Sequence, residues 1–102
     1  MAAAFDLVAE PTRRRILDLL LEGERPVGDL VTTLALSQPA VSKHLRVLRE
    51  GGLVSVRTDA QRRLYSVRPG PLREIDDWIA PYRALWTTHL DALERHLDSM
   101  DD

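Results

Sequence analysis

The sequence contains no cysteine among its 102 residues. Disulfide bonds, thiolate metal sites, thiol nucleophiles and thiol redox switches are therefore excluded. Aromatic residues make up only 5% of the chain, and a chain of this length builds only a limited core. We therefore expect one small domain over residues 1–102 that gains stability by associating with another copy.

Long apolar runs are also missing. No run reaches the roughly 18 residues that a membrane span needs, and the apolar start from Met1 to Phe5 lacks the basic flank of a secretory signal. We expect a cytoplasmic protein with no membrane partner. The chain has three histidines, no glycine-rich phosphate loop and no clustered acid pair, so it is not predicted to be an enzyme.

The net charge is only -2, but the charge is unevenly distributed. Residues 43–68 hold seven basic and two acidic residues, a net charge of +5, whereas residues 71–102 carry a net charge of -5. This asymmetry indicates one surface that meets a polyanion and another that is kept away from it. The alternative is that both are ordinary solvated surfaces.

Hydrophobic periodicity predicts a mainly α fold with a small β-hairpin, in the order α-α-α-α-β-β-α. The last helix should kink or restart near Pro81, which lacks an amide proton. Two strands alone do not form a stable sheet, so the hairpin must pack on the helices, as in a winged helix-turn-helix domain. The predicted helices cover residues 3–10, 11–22, 27–33, 37–50 and 71–100, and the predicted strands cover residues 53–57 and 64–68 around a turn at residues 58–63.

The segment Thr33 to Leu48 predicts a helix-turn-helix. Ser37 is a favoured N-cap, and Pro39 suits the first turn of the helix that ends at Glu50. One face of this helix is apolar, and the opposite face carries hydroxyl and cationic groups that suit contact with DNA in the major groove. The apolar face consists of Val41, Leu45 and Leu48, and the polar face consists of Ser42, Lys43 and Arg46, with Gln38 at the tip. A winged-helix module that binds protein remains the alternative.

Three segments give the chain a specific resemblance. The run Leu36-Ser37-Gln38-Pro39-Ala40-Val41-Ser42-Lys43-His44-Leu45, followed by Leu48 and Gly51-Gly52-Leu53-Val54, resembles the recognition segment of the ArsR/SmtB family of bacterial repressors. Glu10-Pro11-Thr12-Arg13-Arg14 is similar to the family's opening helices, and Arg62-Arg63-Leu64-Tyr65 to the returning strand of its wing. The resemblance implies a homodimeric winged helix that binds a palindromic double-stranded DNA operator, usually as a repressor.

The resemblance also implies a set of DNA contacts. Groove contacts would come from Ser37, Gln38, Ser42, Lys43 and His44, and phosphate contacts from Arg46, Arg57, Arg62 and Arg63. On a helical wheel His44 lies beside the apolar stripe, so a buried or half-buried histidine is an equal alternative to a DNA contact. Strand alternation sends Arg62 and Arg63 to opposite faces, so we expect only one of them to reach phosphate.

The terminal helix, residues 71–100, is predicted to be the dimerisation helix. It holds both tryptophans and more apolar surface than a terminal helix on so small a domain needs. The alternative is that it closes the core of the monomer. The predicted dimer contacts are Phe5, Trp78, Tyr82, Leu85, Trp86, Leu90, Leu93 and Leu97.

Many members of this family sense metal, but the set of metal ligands that the resemblance implies is incomplete in this sequence. The interfacial zinc pattern of the family aligns with Asp76, Trp78, His89 and Ala92, so two of the four ligands are lost. We therefore predict no metal and no cofactor, as in the non-metal-sensing subgroup. A metal-responsive repressor using His89 and His96 remains the alternative, and the sequence does not identify a small-molecule inducer.

Overall fold

A computed structural model describes residues 4–100 and confirms a mainly helical winged-helix architecture. Five helices and three strands are separated by short turns, with one 3₁₀ turn at Gly70–Leu72. In chain order the elements are α1 (Ala4–Ala9), α2 (Pro11–Leu21), β1 (Arg25–Pro26), α3 (Val27–Leu34), α4 (Gln38–Glu50), β2 (Val54–Asp59), β3 (Arg62–Val67) and α5 (Arg73–Met100).

Local capping explains where the helices begin. The Glu10 carboxylate accepts a hydrogen bond of 2.8 Å from the backbone N–H of Arg13 at the start of α2. The Ser37 hydroxyl accepts one of 3.3 Å from the backbone N–H of Ala40 at the start of α4, as the sequence predicts. Each bond satisfies an amide that has no partner within its helix. Between α3 and α4 the chain turns through Ala35 in the left-handed conformation, at φ 55°.

The sheet has one strand more than the predicted hairpin. The two-residue strand β1 pairs antiparallel with β3, with Arg25 opposite Tyr65, so the strand order is β1-β3-β2. Two residues that include a proline cannot show the alternation by which a strand is recognised in a sequence. The extra strand anchors the hairpin to the segment that joins α2 to α3.

The predicted six-residue turn at residues 58–63 is wrong. The ladder between β2 and β3 continues out to the pair Asp59 and Arg62, which leaves only Ala60 and Gln61 in the turn. Two-residue hairpin turns require a positive φ, and Ala60 takes it at 57° without a glycine. The wing is therefore a longer and stiffer ribbon than the sequence indicates.

The core lies where α1, α2, α3 and α4 meet the base of the sheet. Its fully buried side chains come mainly from the helices, and burying each aliphatic one contributes about 1.5–3 kcal/mol. The largest of them are Leu7, Ile16, Leu30, Val41, Leu45, Leu48 and Leu53. A Cβ atom on Gly51, at the end of α4, would overlap the Leu7 side chain, so this glycine lets α1 approach closely.

Helix α1 is held in place from both sides. The Arg13 guanidinium donates hydrogen bonds to the carbonyl oxygens of Leu7 (2.7 Å) and Asp6 (2.8 Å) at its C-terminus. On the other side the Phe5 ring meets Trp78 of α5 edge to face, with ring centroids 5.6 Å apart. The cation satisfies the carbonyls that the helix end leaves without partners.

Helix α5 is continuous through Pro81, so the predicted restart is wrong. Pro81 offers no N–H to the carbonyl of Asp77, but Asp77 is exposed and water can bind that carbonyl instead. Every residue from 81 to 100 is exposed. The radius of gyration is 18.9 Å, compared with about 13 Å for a compact chain of this length, because α5 projects from the domain. None of the helices in residues 4–100 combines the length and apolar character that crossing a bilayer requires.

Candidate nucleic-acid interface

Helix α4 presents its polar face to solvent. Val41, Leu45 and Leu48 are at most 1% exposed, so the apolar stripe is buried as predicted. The opposite side chains are all exposed: Ser37, Gln38, Ser42, Lys43 and Arg46. This orientation follows from the helical period, because positions on one side of the helix pack on α2 and α3 and positions on the other cannot.

A cationic cleft lies between this face and β3. It has a volume of about 350 Å³, and none of its lining residues is acidic. We use the name "α4–β3 cleft" for the site lined by Pro39, Ser42, Lys43, Arg46, Arg49, Arg63 and Tyr65. Four cations around one opening produce a positive potential that attracts an anion.

Arg49 is a member of this cleft that the sequence-based site omits. It follows Ser42 by seven residues and Arg46 by three, and both spacings place it on the same helical face. The helical wheel therefore already places Arg49 on the polar face of α4.

A second groove adjoins the cleft at the wing. It has a volume of about 320 Å³, and its lining residues are Pro26, Val27, Gln38, Ser42, Gln61, Arg62, Arg63 and Tyr65. Arg63 lines both depressions, whereas Arg62 lines only this one. Gln61 was not among the predicted site residues, because its place at the tip of the hairpin depends on the two-residue turn.

Arg57 is not a free cation, although the sequence groups it with the phosphate contacts. Its Nε and Nη2 donate hydrogen bonds of 2.8 Å and 2.6 Å to the two carboxylate oxygens of Glu24, and the Ser66 hydroxyl lies 3.3 Å from the same carboxylate. The hydrogen bonds from Arg57 are the main reason why the pKa of Glu24 is lowered. The same contact raises the pKa of Arg57. This ion pair joins the segment before β1 to the middle of β2.

His44 is half-buried and turned toward α2. Its side chain is 23% exposed, and its Nδ1 lies 3.9 Å from the Glu10 carboxylate. Partial burial raises the pKa of Glu10, but hydrogen bonds from the backbone N–H groups of Arg13 and Thr12, together with the nearby His44, lower it overall. Of the two alternatives for His44, the structure favours the half-buried one.

Most of the cations on α4 and β3 form no hydrogen bond or ion pair with other residues in the range 4–100. Of the fourteen lysine and arginine side chains, six form hydrogen bonds or ion pairs within residues 4–100: Arg13, Arg14, Arg25, Arg57, Arg68 and Arg83. Five of the other eight lie on α4 and the adjacent part of β3, namely Lys43, Arg46, Arg49, Arg62 and Arg63. These five positive charges on α4 and β3 therefore make no hydrogen bond or ion pair that stabilises the fold within residues 4–100.

The terminal helix exposes its apolar stripe. No residue of α5 is buried, so it does not close the core of a single chain. Along residues 4–100 the predicted contacts are between 37% and 64% exposed, from Phe5 at 37% to Leu90 at 64%. Within the same range no three histidine or carboxylate side chains come together to hold a metal ion. His89 and His96 are exposed on α5.

Comparisons with known proteins agree with this architecture. Residues 10–56 match the family model described as "Bacterial regulatory protein, arsR family". The chain is 33% identical over 79 residues to the transcriptional repressor SdpR of Bacillus subtilis, covering 78% of this chain and 88% of the relative. It is 35% identical over 99 residues to the HTH-type transcriptional regulator Rv2034 of Mycobacterium tuberculosis, covering 97% and 90% of the two chains.

A solved structure gives the same result. The crystal structure of a possible transcriptional regulator for arsenical resistance superimposes with a TM-score of 0.71 and 39% identity, covering 91% of this chain and 94% of the other. These relatives are transcriptional regulators, which is a non-enzymatic role. The resemblance predicted from the helix-turn-helix and wing segments is therefore confirmed. The chain belongs to the ArsR family of bacterial regulatory proteins and is a DNA-binding transcriptional regulator with a winged helix-turn-helix fold.

Proposed function

We propose that the protein is a homodimeric repressor that binds a palindromic operator, with α4 in the major groove and the wing against the adjacent backbone. The observation that carries this proposal is the cluster of cations on α4 and β3 that have no hydrogen-bond or ion-pair partner among residues 4–100. A helix of 13 residues is about 20 Å long, which suits insertion into a groove about 12 Å wide. The proposal places the protein in the cytoplasm, where its operator lies.

The proposed contacts divide into two kinds. Gln38 projects from the tip of α4, where its amide can pair with adenine in the groove, and Ser37, Ser42 and Lys43 lie beside it. Arg46 and Arg63 bind phosphates, because exposed guanidinium groups suit phosphate oxygens and carry no base information. Since Arg63 also lines the α4–β3 cleft, we place it closer to the backbone than Arg62.

Two predicted contacts receive a different role. Arg57 is engaged by Glu24, and His44 faces Glu10. Releasing Arg57 for a phosphate would leave the Glu24 carboxylate without its partner beside an anionic duplex. We therefore propose that these two side chains position the wing and α4, and that they do not contact DNA directly.

Dimerisation through α5 and α1 follows from the exposed stripe. Two tryptophans, at 56% and 55% exposure, and the leucines beyond them form a continuous apolar face, and a face of this kind marks an association site. A second copy covers it by symmetry and places two α4 helices about 34 Å apart, one turn of DNA. Such an operator has two related half-sites.

The proposal is tested by measuring binding to an operator selected from a random DNA library at several salt concentrations. Each phosphate contact contributes a slope of about -0.9 in log K against log salt, so Arg46→Ala should flatten the slope by up to about two units per dimer. Gln38→Ala should relax base preference by roughly 1–3 kcal/mol per half-site. A wild-type protein that selects no sequence, or two variants that bind like it, would contradict the assignment of this face.

A further inference from the structure

We propose that the α4–β3 cleft binds a single DNA backbone phosphate. Arg49 is the main cation that binds this phosphate, and the Tyr65 hydroxyl donates a hydrogen bond to it. The inference rests on the proposed function and assigns one contact within it. It adds Arg49 and Tyr65, which are not among the DNA contacts predicted from the sequence.

Charge and shape both favour a phosphate in this cleft. Lys43, Arg46 and Arg49 of α4 meet Arg63 of β3 around one opening, and none of the seven lining residues is acidic. None of these four cations is hydrogen-bonded to another group in residues 4–100, so none has to give up a partner to bind an anion. A guanidinium group binds phosphate through two parallel hydrogen bonds. Arginine side chains on both walls of the cleft, Arg46 and Arg49 on α4 and Arg63 on β3, can supply such bonds.

Tyr65 provides the second, independent observation. Tyr65 as a whole is only 8% exposed and belongs to the core. In the part of the chain from 4 to 100, no buried side-chain polar atom lacks a hydrogen-bond partner. Since the Tyr65 hydroxyl has no partner there, it must reach solvent, and Tyr65 lines both the α4–β3 cleft and the groove that adjoins it. A phenol held rigidly by its ring loses little entropy when it donates to a ligand.

The position of the cleft identifies the duplex backbone as the ligand. Its walls are α4, which is proposed to enter the major groove, and the wing, which lies beside it. The DNA backbone that separates the major groove from the minor groove must pass between α4 and the wing. Arg49 is in the last turn of α4, where a cation also stabilises the helix dipole. That structural role alone would affect folding and leave DNA binding unchanged, so the two roles can be separated.

The test compares Arg49→Gln with Arg95→Gln, which removes an exposed arginine of α5 that has no hydrogen-bond partner within residues 4–100. We expect Arg49→Gln to weaken operator binding about tenfold or more and to reduce the salt slope by about two units per dimer. Arg95→Gln should leave both values unchanged. Arg49→Lys, which keeps the charge, should restore the slope and controls for loss of folding.

Tyr65→Phe provides a second arm, because it keeps the ring and removes only the donor. Binding should weaken by roughly threefold to tenfold, with an unchanged salt slope, since no charge is lost. Inorganic phosphate at matched ionic strength should not compete with the operator.

The inference is overturned if Arg49→Gln behaves like Arg95→Gln, if Tyr65→Phe binds as tightly as the wild type, or if inorganic phosphate competes at stoichiometric amounts. A wild-type protein without salt-dependent operator binding would instead contradict the proposed function. The two failures are therefore distinguishable.

Discussion

At the scale of single residues, the contact between Glu24 and Arg57 explains why an exposed arginine in the wing is not free for DNA. Arg57 donates two hydrogen bonds to one carboxylate across 33 positions of sequence. The pair links the middle of β2 to the segment that precedes β1. Arg46 and Arg63, in contrast, have no such partner in residues 4–100, and their charges remain available.

The ion pair makes a pH-dependent prediction. Because hydrogen bonding to Arg57 lowers the pKa of Glu24 from 4.5, the ionised form is stabilised in the folded protein. This stabilisation is complete above pH 4.5 and is lost as the pH falls through the lowered pKa. Glu24→Gln should therefore lower the Tm at neutral pH, and the difference from the wild type should shrink as the pH falls below 4.5.

Thermal unfolding followed by circular dichroism between pH 7 and pH 3 checks this prediction. Glu94→Gln, which neutralises an exposed carboxylate on α5, is the matched control and should leave the Tm unchanged. A difference between Glu24→Gln and the wild type that keeps its size at pH 3 would show that the charge on Glu24 is not its source.

At the scale of elements, α5 shows that a proline can be tolerated inside a helix that neighbours do not cover. The cost of such a proline is about 3 kcal/mol, and solvent around the exposed Asp77 carbonyl offsets part of it. The helix nevertheless continues to Met100.

Replacing this proline should stabilise the protein. We expect Pro81→Ala to increase the free energy of unfolding by about 1–3 kcal/mol, measured by urea denaturation at a fixed protein concentration. Pro11→Ala is the control, because Pro11 occupies the first turn of α2, where its missing N–H would have no helical partner. A Pro81→Ala variant that is no more stable than Pro11→Ala would contradict the estimate.

The same elements show what could be predicted from the sequence. The order of the five helices follows from the hydrophobic periodicity along the chain, because burial imposes the helical period on the sequence. The orientation of α4 follows from the spacing of Val41, Leu45 and Leu48. The strand β1 and the two-residue turn at Ala60 could not be predicted, since tertiary pairing determines both. The site was predicted in part: Arg49 shares the face of Ser42 and could have been included, whereas the engagement of Arg57 by Glu24 depends on a contact distant in sequence.

At the scale of the whole molecule, a small head, formed by the elements from α1 to the 3₁₀ turn at Gly70–Leu72, carries the long projecting helix α5. The overall dimensions are 66 × 29 × 21 Å, and the long dimension reflects α5. The head presents the cations, whereas α5 carries most of the acidic residues of the C-terminal third. In the dimer that we propose, association along α5 keeps this negative charge away from the duplex.

The dimer can be tested by one substitution in the stripe. We expect Trp86→Asp to weaken self-association by at least about thirtyfold, since a central aromatic residue at an interface contributes about 2 kcal/mol or more. Operator binding should weaken in parallel, because a monomer offers one α4 helix. Sedimentation velocity and gel-shift titration measure the two effects.

Leu21→Asp is the control for Trp86→Asp. Leu21 is 78% exposed at the end of α2, away from the stripe, so the charged residue there should change neither property. A Trp86→Asp protein that sediments like the wild type would place the interface elsewhere.

The position of the two tryptophans gives the protein an intrinsic optical probe. Both indole rings lie on α5, at Trp78 and Trp86, and none lies in the head. The fluorescence of Trp86 therefore reports the solvent around α5, whereas that of Trp78 also reports its contact with Phe5 of α1. Dilution of the purified protein should shift the emission toward longer wavelengths as partners separate, while the head keeps its fold, so an unlabelled sample is enough to follow assembly by spectroscopy.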